Sequence, residues 1–147
     1  MSIAIVHLSD IHYRSKWDEN HGVVFRAFFK DLHKQVELLE ATDVYLALSG
    51  DVVKAGYDKE AYDELASKFD TELTSINIPK NHRICVPGNH DVSTVRIKSN
   101  DIDHEGVVSQ GLDENNFNDY SENSADVFIA KFDEYRSFES NFADYTH

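Results

Sequence analysis

The sequence predicts an α/β domain with a mostly parallel sheet and flanking helices. Three short apolar runs rich in β-branched residues are separated by two longer segments in which apolar residues recur every three or four positions. This alternation of strand and helix patterns is typical of parallel sheets joined by right-handed crossovers. A polar cluster follows each strand, at the edge where parallel sheets bind their ligands.

The three strands are predicted at Ile3–Leu8, Val44–Leu48 and Arg83–Val86. The nearly continuous apolar sequence of the first, IAIVHL, indicates a strand that is buried on both faces, and the second is also expected to be buried. The single cysteine, Cys85, lies in the third strand, so we expect a buried and inert thiol rather than a catalytic one.

Two helices are predicted between the strands, from apolar stripes over residues 25–39 and 62–76. Pro79 is expected to stop the second of them. A third amphipathic helix is predicted from about Ser124 to Asp144. Its stripe of aromatic side chains indicates core packing rather than a cofactor site, and comprises Phe128, Phe132, Tyr135, Phe138 and Phe142.

The whole chain, residues 1–147, is interpreted as one domain. It divides into a βαβαβ core at 1–91, an irregular acidic loop at 92–123 and the amphipathic helix at 124–145. The sequence leaves open whether the loop at 92–123 closes over a substrate.

Composition narrows the possible functions. The chain has 27 acidic and 14 basic side chains and a net charge of −13, which argues against broad binding of nucleic acid or anionic membranes by its own surface. No apolar stretch approaches the ~20 residues of a membrane span. The first residues do not resemble a signal peptide, so we expect a cytoplasmic protein.

Three polar clusters follow the predicted strands, at Asp10–His12, Gly50–Asp51 and Gly88–Asp91, about forty residues apart. Each strand–helix unit returns the chain to the same edge of the sheet, so the clusters should converge. Carboxylate, imidazole and amide groups are ligands for divalent first-row metals. Any one cluster alone is more commonly a turn, but three in succession at strand ends indicate a metal site.

Individual residues in these clusters suit metal binding. Alternate residues of an extended segment point the same way, so Asp10 and His12 can hold one ion from one side. Asp51, at the end of the central strand, can bridge two ions. Asp10, Asp51 and Asp91 would repel one another at one sheet edge, and a bound dication would offset that repulsion and the cost of desolvation.

These clusters resemble the signature of the calcineurin-like metallophosphoesterase superfamily. That signature runs Asp-x-His, Gly-Asp, Gly-Asn-His-Asp/Glu, a lone His and Gly-His-x-His, and the three clusters match its first three motifs. The resemblance covers about residues 1–95. It implies the first half of an α/β/β/α sandwich and a centre of two divalent ions of the Mn, Fe or Zn class.

The resemblance also implies a role for each matching residue. Asp10 and His12 would bind the first metal, Asp51 would bridge, and Asn89 would bind the second. His90 and Asp91 would be catalytic. His90 would contact the phosphate and steer or protonate the leaving group, and Asp91 would orient His90.

The implied reaction is the hydrolysis of phosphoesters by a hydroxide that the two metals activate. Within the family, the second motif GDVVKAG lacks the Asp-Arg-Gly of Ser/Thr protein phosphatases, and the third motif ends in Asp91. Both features favour the phosphodiesterase and nuclease branches. The implied substrate is a phosphodiester such as a nucleotide or nucleic acid.

The chain departs from the family pattern after the third motif. It contains no Gly-His-x-His, and His104 and His147 are the only histidines after His90. The second metal site is therefore expected to be incomplete. The chain looks like the N-terminal half of a longer metallophosphoesterase, which would need the missing half or a partner chain to cover an apolar sheet face. A catalytically incomplete sensor or scaffold module is the alternative, and an acidic binding domain without metals is a third interpretation.

Overall fold

The computed structural model describes residues 2–15, 19–39, 43–93 and 129–145. The elements alternate as predicted, and one 3-10 turn (Lys80–His82) precedes the last strand. The strands form one parallel sheet in the order β1-β2-β3, which confirms the predicted α/β class. The elements are β1 (Ile3–Leu8), α1 (Glu19–Leu38), β2 (Asp43–Ser49), α2 (Lys59–Ser75), β3 (Arg83–Val86) and α3 (Asp133–Phe142).

The register of the sheet aligns the ends of the three strands. Leu8 lies opposite Leu48, and Ser49 lies opposite Val86. The loop that follows each strand therefore leaves the sheet at the same edge. This alignment is what brings the three polar clusters together.

The prediction that β1 is buried on both faces is wrong. Side chains along β1 alternate, with Ile3 and Ile5 exposed by 63% and 71%, and Ile84 and Val86 of β3 are also exposed. The strands are in sequence order, so both crossovers step the same way across the sheet. Right-handed crossovers then place both helices on one face. In the described part of the chain, one apolar sheet face is exposed, as expected.

The covered face carries the core. Val44, Leu46 and Leu48 of β2 point into it. Phe69 of α2 packs edge-on against Phe25 and Phe29 of α1, as their spacing predicted. The buried residues of α2 are Ala61, Tyr62, Leu65, Phe69 and Leu73.

Local signals set both ends of α2. The Asp58 side chain accepts a hydrogen bond from the Ala61 amide, as an N-cap residue does. At the other end Asn77 has a φ of 59°, and the amide of Ile78 donates to the carbonyl of Leu73. This pattern is a Schellman motif. It ends the helix at Ser75, before Pro79 is reached.

Arg83, at the start of β3, is buried and ties three elements together. Its guanidinium donates to Asp70 at 2.8 Å and to the carbonyls of Ile78 and Phe142 at 2.9–3.3 Å. The bonds join β3 to the end of α2 and the end of α3, so α3 is held against α2.

Among the described residues, helix α3 covers the later part of the predicted helix. It begins at Asp133 after a turn at 131–132, and residues 94–128, with most of the predicted acidic loop and the start of the predicted helix, lie outside the described residues. Its aromatic stripe packs in the core as predicted, with Tyr135, Phe138 and Phe142 buried.

Cys85 is buried, as predicted. Burial raises the pKa of its thiol, which suits an inert cysteine. Among the described helices, none combines the length and the apolar character needed to cross a bilayer.

Candidate metal centre

The loops after β1, β2 and β3 are joined by backbone hydrogen bonds at the carboxyl edge of the sheet. The amides of Asp10 and His12 donate to the carbonyls of Gly50 and Asp51, at 3.2 and 2.9 Å. The amide of Gly50 donates to the carbonyl of Val86 at 2.9 Å. The predicted convergence of the three clusters is confirmed.

The backbone in these loops is not extended, and this corrects one sequence inference. Asp10, His12 and Asp51 have φ values of 54°, 50° and 51°, and Gly50 has 81°. A left-handed conformation at a non-glycine residue costs of order 1–3 kcal/mol and is concentrated at functional sites. The directions of Asp10 and His12 are therefore set by left-handed turns and not by the alternation of a strand.

His12, Asp51 and His90 form a compact group of metal-ligating side chains. One ligand atom from each lies within 4.8 Å of the others. Nε2 of His12 is 3.8 Å from Oδ2 of Asp51. The His12 and His90 rings are nearly perpendicular, with centroids 4.7 Å apart. All three side chains are partly exposed, so a small ion and a substrate can reach them.

This group differs in membership from the expected ligand set. His12 and Asp51 belong to it, as predicted. His90, expected to stand off the metals, belongs to it too. Asp10 is exposed and lies outside it, and Asn89 is exposed. His104 lies outside the described residues. The ligand roles of Asp10 and Asn89 remain predictions.

The group suits a divalent cation. Two imidazoles and a carboxylate are a common ligand set for zinc, iron and manganese. Nδ1 of His12 is buried and has no hydrogen-bond partner among the described residues. Buried polar atoms without partners are rare in folded proteins, and an ion or ordered water commonly satisfies them.

The Asp51 carboxylate is held in one orientation. Its Oδ1 accepts a hydrogen bond from the backbone amide of His90 at 2.9 Å. This contact leaves Oδ2 facing His12 and joins the second motif directly to the third.

Asp91 binds backbone amides instead of the His90 ring. It is fully buried, and Oδ2 accepts from the amides of Val52 and Gly88 at 3.1 and 2.8 Å. Oδ1 accepts from the amide of Val53 at 3.2 Å and from the Tyr62 hydroxyl at 3.0 Å. The expected contact in which Asp91 orients His90 is therefore replaced by one in which Asp91 holds the second and third loops together.

The His90 imidazole is oriented by a backbone carbonyl. Nδ1 of His90 lies 3.1 Å from the carbonyl oxygen of Lys54. A carbonyl only accepts, so Nδ1 carries the proton and Nε2 is directed elsewhere. The partner of His90 thus comes from the second loop.

The sequence pattern did not indicate the anchoring roles of Lys54 and Tyr62. Tyr62 was recognised only as part of the apolar stripe of α2, and its hydroxyl is what reaches Asp91. Burial, and then the nearby Asp91 carboxylate, raise the pKa of Tyr62, so the hydroxyl stays a donor. Lys54 acts through its backbone carbonyl, and the pattern of side chains in a sequence does not predict such a contact.

Three further histidines have partners outside the group. His7 lies 2.6 Å from the Ser49 hydroxyl on the open sheet face. His33 is paired with Glu72 at 3.3 Å, and His82 lies 3.1 Å from a carbonyl of β2.

Glycine is required at two positions of the motifs. Gly50 has a positive φ, which a side chain would strain. A Cβ at Gly88 would collide with the carboxylate and the amide nitrogen of Asp51. The glycine of the third motif therefore makes room for the key ligand of the second.

Replacing Asp91 with Asn should lower the free energy of unfolding by about 3 kcal/mol, because one amide cannot accept from four donors. Tyr62→Phe removes one donor and should cost about 1 kcal/mol. Urea denaturation followed by circular dichroism measures both. Equal stability of Asp91→Asn and wild type would show that the carboxylate does not hold the loops.

Gly88→Ala should displace Asp51, lowering the affinity for Mn²⁺ and the free energy of unfolding, the latter by about 1–3 kcal/mol. Gly22→Ala in α1 is the matched control. Its Cβ would approach Nη1 of Arg26 at an ordinary 3.4 Å, and helix propensity predicts no loss of stability. Isothermal titration calorimetry and urea denaturation measure the two effects. Wild-type Mn²⁺ affinity in Gly88→Ala would contradict the proposed clash.

Comparison with known proteins agrees with this geometry. The family model for calcineurin-like phosphoesterases matches residues 3–144. A comparison with curated proteins found no match. The family match covers nearly the whole chain and includes all three loops that meet at the His12–Asp51–His90 group. The chain belongs to the calcineurin-like phosphoesterase family.

Proposed function

We propose that this domain hydrolyses phosphodiesters with divalent cations bound at the carboxyl edge of its sheet. Metal-dependent hydrolysis of phosphoesters in general follows from the family. The observation that carries the proposal is the His12–Asp51–His90 group, whose ligand atoms lie within 4.8 Å of one another. Because these ligand atoms already lie close together, we favour an enzyme over the alternative of a catalytically incomplete sensor or scaffold module.

Four residues are proposed to hold two ions of the Mn, Fe or Zn class. Asp10 and His12 would bind one ion, Asp51 would contact both, and Asn89 would bind the other. When bound, the ions supply Lewis acidity, which lowers the pKa of water and neutralises charge on the phosphoryl group. The second ion has few ligands in this chain, and we propose that further ligands come from outside these 147 residues.

The His90 side chain is proposed to serve the leaving group. In this role His90 would not ligate an ion: with Nδ1–H held by the Lys54 carbonyl, the protonated ring would present Nε2–H as a donor. Transfer of that proton to the departing oxygen avoids expulsion of an alkoxide. Asp51 binds the His90 amide and keeps this ring beside the metal group.

Two features support a diester as the substrate. The second motif lacks the Asp-Arg-Gly of the protein phosphatase branch. The chain also carries a net charge of −13, which repels a dianionic monoester more than a monoanionic diester. Nucleotides that contain a diester, and nucleic acid bound with help from a basic surface outside this chain, fit this class. We also propose a cytoplasmic location, as expected from the sequence.

A partner surface is proposed for the open sheet face. Ile3, Ile5, Ile84 and Val86 form an exposed apolar patch. Contiguous apolar patches on monomers commonly mark interaction sites. We propose that a further segment of a longer protein, or a partner chain, covers this face and brings the additional ligands.

Hydrolysis of bis-p-nitrophenyl phosphate with Mn²⁺ tests the proposed function. Asp51→Asn should lower turnover by about 100-fold or more, because it removes the ligand shared by both ions. Asp63→Asn, on the exposed side of α2, is the control with the same change of charge.

The result is interpreted with bound metal measured in the same samples. Turnover that survives in Asp51→Asn contradicts the proposed site. Retained Mn²⁺ binding without turnover shows that ligands from outside this chain are required. Loss of both turnover and Mn²⁺ binding in the wild-type chain contradicts the proposed function.

Light scattering after size-exclusion chromatography tests the open sheet face. The wild-type chain should self-associate, more strongly at high salt, where repulsion between highly charged copies is screened. Ile5→Lys should shift the equilibrium to the monomer. A wild-type monomer at all salt concentrations that also binds no hydrophobic dye would contradict the proposed interface.

A further inference from the structure

A buried tyrosine follows the predicted ligand His12 and has no part in the chemistry described above. Tyr13 is fully buried, and its hydroxyl donates to Oε2 of Glu64 on α2 at 2.7 Å. Nζ of Lys68, one turn further along α2, donates to the same hydroxyl. Nζ also lies 4.7 Å from the centroid of the Tyr13 ring and 3.7 Å from Oε2 of Glu64.

The backbone of Tyr13 joins the first loop to the second. Its amide donates to the carbonyl of Val52 at 3.0 Å, and its carbonyl accepts from the amide of Lys54 at 2.8 Å. Tyr13 and Val53 form an isolated parallel bridge. Beyond the sheet, this bridge sets the register of the two loops.

Tyr13 is connected to His90 through Lys54. Lys54, whose amide is held by Tyr13, presents the carbonyl that binds Nδ1 of His90. Tyr13 therefore lies between His12, its neighbour in sequence, and the residue that orients His90. A shift of Tyr13 would change the separation of the two imidazoles.

Packing alone does not explain the hydroxyl. A phenylalanine would fill the same space against Phe25, whose ring centroid is 6.0 Å away. A buried hydroxyl must be hydrogen-bonded to avoid a desolvation cost. Glu64 and Lys68 satisfy it as acceptor and donor, so the hydroxyl end of the ring is fixed in position.

We infer that Tyr13, held by Glu64 and Lys68, is a positioning residue that sets the separation of His12 and His90 and thereby the affinity of the site for divalent cations. The inference rests on the proposed function, because it assigns the cluster to the same site. It concerns the chain's own residues and is measurable without turnover.

The test compares Mn²⁺ affinity, by isothermal titration calorimetry, with the free energy of unfolding, by urea denaturation. Tyr13→Phe should weaken Mn²⁺ binding by about 10-fold, as changes to groups that support metal ligands commonly do. Glu64→Met should do the same, and Glu64→Gln, which still accepts a hydrogen bond, should restore most of the affinity. Lys59→Met, an exposed change on the same helix, is the control.

A double mutant separates positioning from general loss of stability. If one hydrogen bond transmits the effect, Tyr13→Phe with Glu64→Met should bind Mn²⁺ no more weakly than either single variant. Wild-type affinity in both single variants, whatever their stability, would overturn the inference and assign Tyr13 to the core.

A second readout keeps the inference testable if the wild-type chain binds no Mn²⁺, an outcome that would count against the proposed function itself. Nitrogen-15 spectra of the histidine rings report the Nδ1–H···O=C bond of His90. Tyr13→Phe should broaden or shift this signal, and Glu64→Gln should leave it near its wild-type position. An unchanged His90 signal in Tyr13→Phe would overturn the inference on its own.

Discussion

The rest of the site depends on the hydrogen bonds of one buried carboxylate, that of Asp91. Asp91 accepts hydrogen bonds from three backbone amides and one tyrosine hydroxyl, and these donors belong to the second loop, the third loop and α2. A buried charge with so many donors is stabilised only while they remain in place, since loss of a partner leaves desolvated charge. The arrangement therefore specifies one relative position of the loops.

The strained backbone of the site follows from this constraint. The left-handed conformations of Asp10, His12 and Asp51 persist because backbone bonds between the loops hold them. Asp51 in turn binds the amide of His90, which joins the second loop to the third. Helix α2 stabilises the loops through two hydrogen bonds that involve tyrosine hydroxyls. Its own Tyr62 donates to Asp91, and its Glu64 accepts from Tyr13 of the first loop.

The sheet explains why the same chain has both a preformed ligand group and an open apolar face. Three strands in sequence order place both connecting helices on one side, so the other side is left to solvent in the described part of the chain. The polar clusters lie at the carboxyl edge, next to this open face. A partner that covers the face is thus also placed to contribute ligands to the site, which connects the proposed assembly to the proposed chemistry.

Periodicity and motif spacing determined the strands, the first two helices and the meeting of the three clusters, because local patterns and the rules of parallel crossovers suffice for these. The sequence by itself also identified His12, Asp51 and His90 as chemically important. Only the tertiary structure decided which side chains lie on the open sheet face of the described residues, since this depends on the direction of the crossovers. It alone revealed that the loops are left-handed, that a carbonyl of Lys54 orients His90, and that Asp91 binds backbone amides. Those contacts involve backbone groups and side-chain directions that residue types do not encode.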